Sequence, residues 1–379
     1  MNPFKLTPIL TGEAFCNREK ELEDLNRHAV NSTHVVLFSP RRLGKTSLVL
    51  RVMDRFKEKR CLAGYIPLAS VLGQEDFVGR LTAGVVKCLG KDITSGSLIE
   101  QLKRFFTRIV PSIDLKPEGV SISVKYDRDV SFYVLAEDIF ESLNRYLENK
   151  KARCLLVFDE FQQITGLREN SIIESVLRDN IQMSSRISCF FVGSRRRILK
   201  EMFMDSKRPF YKMAVSYQLG KIPQQELVTF ITDQFDKTGK RCDAKQASRI
   251  YSQMEGHTYY VQKLAHFVWD RCDKRVTEDM VSAVAKEVLE IEAGDFQSIF
   301  DALNQTEKRL VVALSQKPTS RLYERDFLDR FHFPGSSIQR PLKSLLDKDI
   351  LEIGEGRIYR ITDPLFAQWC RASSIPSLP

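Results

Sequence analysis

The stretch HVVLFSPRRLGKTSLVL, residues 34–50, decides the fold of this chain. Its first half is an apolar run typical of a buried strand, and a turn that contains Gly44 follows. The pair Lys45-Thr46 then opens a helical pattern, which completes the strand–loop–helix arrangement of a P-loop. In such a loop, backbone N–H groups and the helix N-terminus bind phosphate oxygens. Ser39 stands where the motif usually has its first glycine, and because serine is small we expect the loop to keep its form.

Acidic side chains end a second apolar run, CLLVFDE, at residues 154–160. Asp159 is placed to hold the hydration shell of Mg²⁺, and Glu160 is placed to polarise an attacking water. In the P-loop, the Lys45 ammonium is expected to reach the β- and γ-phosphates and the Thr46 hydroxyl to bind Mg²⁺. The alternative for the acidic pair is a strand end with two solvated carboxylates. The P-loop upstream favours the catalytic interpretation.

Polar and basic side chains follow a third apolar run, SCFFVGSRRR, at residues 188–197. Ser194 is placed to sense the γ-phosphate, and an arginine near it is a candidate for neutralising transition-state charge. The alternative for these arginines is the solvated basic start of a helix. The sequence does not choose among the four candidates, which are Arg195, Arg196, Arg197 and Arg208.

Alternating apolar runs and amphipathic stretches predict an α/β domain over residues 1–222, with a largely parallel sheet whose strands are buried on both faces. The predicted strands are 34–39, 61–68, 154–158, 188–193 and 215–219, and the predicted helices are 46–59, 75–89, 97–109, 132–149 and 171–186. Residues 111–128, which contain two prolines and the alternating run VSISV, read as an inserted strand or hairpin.

The rest of the chain predicts two further domains. Residues 223–293 show only helical periodicity, which indicates a helical lid domain. Residues 294–379 show helices around 296–316, 323–332 and 337–348, then two short strands at 350–354 and 357–361. The strands meet at Glu355-Gly356, a turn that favours hairpins. Three helices followed by a hairpin are the pattern of a winged helix.

Composition excludes several classes of protein. The chain has 379 residues, a net charge of +9 and no apolar run long enough to span a membrane. It shows no signal-peptide pattern, and its eight cysteines form no CxxC pair, so we expect a reduced cytoplasmic protein without a membrane partner or a zinc site. The basic excess lies in residues 1–220, which hold 35 Lys and Arg against 26 Asp and Glu. That excess suits a polyphosphate, a nucleic acid or a protein surface equally.

Six segments in this order resemble the prokaryotic STAND-type P-loop ATPases, an archaeal and bacterial family close to the AAA+ proteins. They are FCNREKELEDL (15–25), SPRRLGKTSLV (39–49), LLVFDEFQQI (155–164), FFVGSRRRILKEMF (190–203), GHTYYVQKLAHFVW (256–269) and ITDPLFAQWCR (361–371). The resemblance implies a P-loop domain, a helical lid and a winged helix. It also implies that ATP or ADP and Mg²⁺ are the cofactors.

The resemblance also implies roles for individual residues. The segment that begins with Phe15, Arg18 and Glu19 borders adenine, and His257 approaches the nucleotide from the lid. Asp159 and Thr46 hold Mg²⁺, and Lys45, Asp159, Glu160 and Ser194 form the catalytic group. The phosphate loop comprises Ser39, Pro40, Arg41, Arg42, Leu43, Gly44, Lys45, Thr46 and Ser47.

Two departures from the family pattern bear on the rate of hydrolysis. Thr258 stands where the family often has proline, and Tyr211-Lys212-Met213 replaces a commoner YGR, which removes an expected arginine. We therefore expect hydrolysis that is slow or that depends on a partner.

Two functions of different classes fit these observations. The first is an intracellular ATP-dependent switch that binds nucleotide between the α/β domain and the lid and acts on a protein partner or on a second copy of itself. The alternative is a DNA-binding regulator resembling origin-recognition proteins, which reads DNA through residues 336–360, where Arg340, Lys343 and Lys348 are available. Residues 294–379 hold only 12 basic against 11 acidic side chains, which favours the switch.

Overall fold

The computed structural model describes residues 1–6, 15–16, 18–58, 61–89, 106, 110–116, 119–125, 130–334 and 338–372, with only the backbone of 110–116 and 119–125. The chain forms two compact units. The α/β unit comprises residues 18–39 and 45–219, and the helical unit comprises residues 1–17, 40–44 and 220–379.

The α/β unit is built on a sheet of five parallel strands in the order β2-β5-β6-β1-β7. The strands are β1 (Val35–Phe38), β2 (Leu62–Pro67), β5 (Cys154–Asp159), β6 (Ile187–Gly193) and β7 (Val215–Gln218). In β1, β5 and β6 every residue is buried, as continuous apolar runs predict for central strands. The predicted parallel α/β fold is thereby confirmed.

Six α-helices and a short 3₁₀ helix accompany this sheet in the described part of the unit. They are α1 (Glu19–Val30), α2 (Lys45–Glu58), α3 (Gln74–Leu89), α4 (Phe132–Lys150), the 3₁₀ helix Phe161–Gly166, α5 (Asn170–Gln182) and α6 (Arg196–Met204). Glycines let α3 lie close to β2, because a Cβ on Gly64 would come within 2.7 Å of the Gly84 carbonyl oxygen. One apolar core joins one face of the sheet to α3, α4, the 3₁₀ helix, α5 and α6.

Two details of this unit differ from the sequence prediction. Strand β7 is not buried on both faces: it is the edge strand, and Val215 is 43% exposed. Helix α5 ends at Gln182 rather than at residue 186, because residues 183–186 form the turn that leads into β6. The helix predicted at 97–109 lies outside the described residues except for Phe106, which is buried.

The segment expected as an inserted strand or hairpin forms a hairpin. Strands β3 (Val110–Lys116) and β4 (Gly119–Lys125) pair antiparallel in a two-stranded sheet of their own, with Ile113 opposite Ile122. The alternating run VSISV, residues 120–124, lies within β4.

The helical unit contains the two segments predicted as lid and winged helix. Its helices are α7 (Gln224–Lys237), α8 (Ala244–Gln253), α9 (Thr258–Arg271), α10 (Glu278–Asp301), α11 (Gln305–Gln316), α12 (Arg325–Arg330), α13 (Gln339–Asp347) and α14 (Pro364–Ala372). Strands β8 (Leu351–Ile353) and β9 (Tyr359–Ile361) pair antiparallel between α13 and α14. They are joined by a 3₁₀ turn in which Gly356 has φ +67°, the left-handed region that favours glycine.

The prediction of one continuous helix over residues 296–316 is wrong. The chain leaves α10 at Asp301, and Asn304 then caps α11. Helix α10 itself runs through residue 293, where we expected the lid to end, and one core spans both sides of this point. None of the helices in the described ranges is both long and apolar enough to cross a membrane.

Candidate functional site

The phosphate loop leaves β1 at Ser39 and enters α2 at Lys45. Gly44 has φ +89°, and a Cβ there would meet nothing within 4 Å, so the backbone conformation rather than crowding calls for glycine. Lys45 is buried, and its Nζ donates to the Ser39 carbonyl at 3.1 Å and to Ser39 Oγ at 3.2 Å. The serine at the usual glycine position is therefore an acceptor for the lysine of the motif.

The two residues predicted to bind Mg²⁺ lie side by side in the α/β unit. Thr46, in the first turn of α2, donates from Oγ1 to Asp159 Oδ2 at 3.0 Å, and Asp159 is the buried last residue of β5. Asp159 Oδ1 accepts the Glu160 N–H at 3.0 Å. A hydroxyl and a carboxylate are oxygen ligands of the kind that Mg²⁺ prefers, so this pair fits the metal and would hold it.

Tyr65 is a third side chain at this carboxylate, and the sequence analysis missed it. Its hydroxyl donates to Asp159 Oδ2, the same oxygen that Thr46 contacts. Burial and the neighbouring Asp159 carboxylate raise the pKa of Tyr65 well above its usual value, so the phenol stays a donor. The contact arises because β2 pairs with β5 and places Tyr65 opposite Val157.

Glu160 lies just beyond β5 in a left-handed backbone conformation, φ 54° and ψ 42°. Its Oε2 accepts a hydrogen bond from Ser194 Oγ at 3.0 Å and one from Gln162 Nε2. The structure thus brings Asp159, Glu160 and Ser194 together at the carboxyl ends of neighbouring strands. The contact with Gln162 is the second feature that the sequence analysis missed.

The candidate arginines have different surroundings. Arg195 and Arg196 are half-buried at the start of α6, and Arg197 is exposed. Arg208 donates to Glu174, a fully buried residue of α5. Burial raises the pKa of Glu174, and the nearby guanidinium acts in the opposite direction. Which arginine acts on a phosphate stays a prediction.

Loop residues 40–44 belong to the helical unit, where they contact its helices. His257, next to the start of α9, donates from Nε2 to the carbonyl oxygen of Arg41 at 3.2 Å. Arg42 forms an ion pair with Glu292 of α10 at 3.3 Å, and its guanidinium lies 4.7 Å from the centre of the Tyr259 ring. Burial and the positive charge of Lys221 lower the pKa of His257 to about 4.

The remaining predicted site residues are buried or half-buried. Within the phosphate loop, Leu43 and Ser47 are buried and Pro40 is half-buried. Phe15 is half-buried in the helical unit. Arg18 is buried in the α/β unit with φ 78°, and it donates to Glu21 at 2.8 Å. The expected role of these last two residues beside adenine stays a prediction.

Comparison with known proteins gives the family. A profile described as an ATPase domain predominantly from Archaea matches residues 15–264, and one described as a probable winged helix domain matches residues 294–372. No curated protein matches the chain.

Solved structures similar to this chain share its fold at low sequence identity. A Walker-type ATPase of Pyrococcus abyssi is 18% identical and has a TM-score of 0.69, covering 97% of this chain and 99% of that one. The ORC1 protein of Aeropyrum pernix, solved in complex with DNA, is 12% identical, with a TM-score of 0.51 and coverages of 97% and 95%. The ADP form of the ORC2 protein of Aeropyrum pernix is 16% identical, with a TM-score of 0.52 and coverages of 100% and 94%.

The profile of archaeal ATPase domains covers well over half of the sequence, and the P-loop, the parallel sheet and the acidic strand end agree with it. The chain therefore belongs to the family of ATPase domains found predominantly in Archaea, and it carries a winged helix after that domain.

Proposed function

We propose that this chain binds ATP with Mg²⁺ and hydrolyses it to ADP and phosphate as a nucleotide-dependent switch of the STAND type. The observation that carries the proposal is the 3.0 Å contact between Thr46 and Asp159, with Glu160 as the next residue. This contact supports a metal-binding role for Thr46 and Asp159, next to Glu160 as a candidate base at the end of β5. The buried Lys45 is the first residue of the same helix as Thr46.

Each of these side chains has a distinct role in the proposed reaction. Lys45 neutralises charge on the β- and γ-phosphates, and Glu160 orients and polarises the attacking water. Thr46 and Asp159 would hold Mg²⁺, which when bound would supply a Lewis acid at the phosphate oxygens. Ser194, which donates to Glu160, is the candidate sensor of the γ-phosphate.

Contacts of the loop within the helical unit support the switch. His257 and Glu292 bond the backbone of Arg41 and the side chain of Arg42, so residues 40–44 are held by α10 and by the start of α9. The part of the chain that matches the winged helix starts at residue 294, within α10. A change in the loop on phosphate binding would therefore alter its contacts with α9 and α10. In the proposed switch, this alters how the winged helix is presented to a protein partner or to a second copy of the chain.

A DNA-binding regulator is the second candidate function. Gln339, Arg340 and Lys343 are exposed on α13, and the two basic residues form no ion pair with any residue in the described ranges. Lys348, in contrast, is paired with Glu307 at 2.9 Å. The fold is shared with an ORC1 protein that was solved with DNA, which adds weight to this candidate. The near balance of charge in residues 294–379 keeps it second.

Phosphate release from Mg·ATP tests both candidates. We expect Glu160→Gln to bind ATP normally and to hydrolyse it about 10²–10⁴-fold more slowly than wild type, because the base is lost while the phosphate site remains. Lys45→Ala, which removes the phosphate-binding ammonium, is the control that loses ATP binding. Each protein is assayed with and without duplex DNA.

The outcomes separate the two functions. Turnover that Glu160→Gln abolishes and that DNA leaves unchanged supports the switch. Strong stimulation by DNA, lost when Arg340 and Lys343 are both changed to Ala, favours the regulator. Hydrolysis by Glu160→Gln at the wild-type rate would remove Glu160 from the catalytic role.

A further inference from the structure

The carboxylate of Glu160 is held through only one of its two oxygens. Oε2 accepts from both Ser194 Oγ and Gln162 Nε2. Both side-chain hydrogen bonds of Glu160 to residues that the structure describes go to Oε2, none goes to Oε1, and Glu160 is partly exposed. One oxygen is therefore fixed by two donors, and the other is left to accept from a water molecule.

Gln162 is built into the protein at this position. It lies in the 3₁₀ helix Phe161–Gly166 and is 2% exposed. Its carboxamide fills the space beside Gly193, because a Cβ added to Gly193 would lie 1.9 Å from Gln162 Oε1. The glycine at the end of β6 is thus the residue that makes room for this glutamine.

The hydrogen bonds of the buried Gln162 carboxamide do not explain why a polar residue stands at this position. Gln162 Oε1 is buried and has no hydrogen-bond partner among the described residues. A buried acceptor without a partner costs free energy, so an apolar side chain of the same size would be favoured on stability alone. What glutamine adds here is the Nε2 donor on Glu160, and a hydrogen bond to a carboxylate is among the stronger ones.

We propose that Gln162 is a positioning residue for ATP hydrolysis, which acts by fixing Glu160 Oε2 so that Oε1 faces the attacking water. The inference rests on the proposed function and adds a residue that the P-loop motifs do not contain. Catalytic groups that are held in place before the reaction need no reorganisation during it. Gln162 itself touches neither nucleotide nor water in this proposal.

Steady-state hydrolysis by Gln162→Met tests the proposal. Methionine matches glutamine in length and lacks the donor. We expect kcat to fall about ten- to a hundredfold with KM within about twofold of wild type, because misplacement of a catalytic group acts on the chemical step. The matched control is Gln163→Met, the next residue of the same 3₁₀ helix, which should keep the wild-type kcat.

Two further measurements separate positioning from a general structural role. In the Glu160→Gln background, Gln162→Met should lower the residual rate no further, since its effect passes through Glu160. In nucleotide-free protein, Glu160→Ala and Gln162→Met should shift the urea midpoint by less together than the sum of their separate shifts. If Gln162→Met does not fold, Gln162→Glu keeps the volume and should give the same loss of kcat by repelling Glu160.

The opposite results have distinct meanings. An unchanged kcat in folded Gln162→Met, an equal loss in the Glu160→Gln background or additive urea midpoints would overturn the role of Gln162 and leave the ATPase proposal standing. Wild-type protein that binds ATP and releases no phosphate under any condition would instead overturn the proposed function, and this inference with it.

Discussion

At the scale of single residues, two donors fix the two acidic groups of the site: the half-buried Tyr65 and the buried Gln162. Tyr65 holds Asp159, and Gln162 holds Glu160. The acidic residues were predictable, because an apolar strand that follows a P-loop and ends in Asp-Glu is typical of a magnesium-binding strand end. Their partners were not, because the Tyr65 contact depends on β2 lying beside β5, and strand order leaves no signal in a single sequence. The Gln162 contact depends on the left-handed turn at Glu160.

Changing Tyr65 to Phe is expected to weaken Mg²⁺ binding while leaving the fold intact. The hydroxyl is lost from the Asp159 oxygen that also contacts Thr46, so the carboxylate is less well oriented toward the metal. Loss of such an outer partner typically lowers metal affinity by about tenfold or more. We therefore expect about a tenfold higher Mg²⁺ concentration at half-maximal ATP binding, measured by titration. Tyr133→Phe, at an exposed position of α4, is the control, and an unchanged Mg²⁺ midpoint in Tyr65→Phe would contradict this role.

At the scale of secondary structure, hydrophobic periodicity predicted where the elements lie better than it predicted how buried each element is. The central strands β1, β5 and β6 were predictable because burial on both faces requires a continuous apolar run. The exposure of β7 was not predictable, because the sequence of an edge strand, which has a neighbouring strand on one side only, can also show a short apolar run. The break before α11 carried a readable signal, because Asn304 and Glu307 have the spacing of a capping box.

Changing Asn304 to Ala is expected to destabilise the helical unit by about 1 kcal/mol. The Asn304 side chain accepts the Glu307 N–H at 3.0 Å, and the Glu307 carboxylate accepts the Asn304 N–H at 3.0 Å. Alanine removes the first of these bonds and leaves a helix N–H without its acceptor. Urea unfolding measures the change. Asn304→Ser, which keeps an acceptor, should restore most of the loss.

A second control addresses helix caps in general. Glu324 precedes α12 and makes no side-chain cap, so Glu324→Ala should change the free energy of unfolding by less than about 0.5 kcal/mol. Equal losses in Asn304→Ala and Glu324→Ala would show that the capping box is not what ends α10 and starts α11.

At the scale of the whole molecule, the residues of the phosphate loop are divided along the chain between the two compact units. Residues 40–44 belong to the helical unit, whereas Ser39 and Lys45 belong to the α/β unit. The order of motifs predicted the P-loop fold and the winged helix, because each motif is a local pattern. The bonding of the loop by Glu292 was not predictable, since that residue lies 250 positions away in the chain.

The buried His257 makes the stability of the protein depend on pH. Its Nε2 donates to the Arg41 carbonyl, which can only accept, and its Nδ1 has no partner among the described residues. The folded pKa is about 4, below the ordinary value of 6.5. As pH falls from about 6.5 to about 4, the unfolded chain therefore takes up a proton that the folded protein does not, and stability is lost.

Between pH 7.5 and pH 5.0 this linkage corresponds to about 2 kcal/mol of unfolding free energy. His257→Gln keeps a donor for the Arg41 carbonyl and cannot be protonated. We expect it to lose about 2 kcal/mol less than wild type over this pH range in urea titrations, whatever its stability at pH 7.5. His332→Asn, at an exposed position of the same unit, should follow the wild-type pH dependence. Parallel pH profiles for wild type and His257→Gln would mean that the histidine opens to solvent and takes its proton before the protein unfolds.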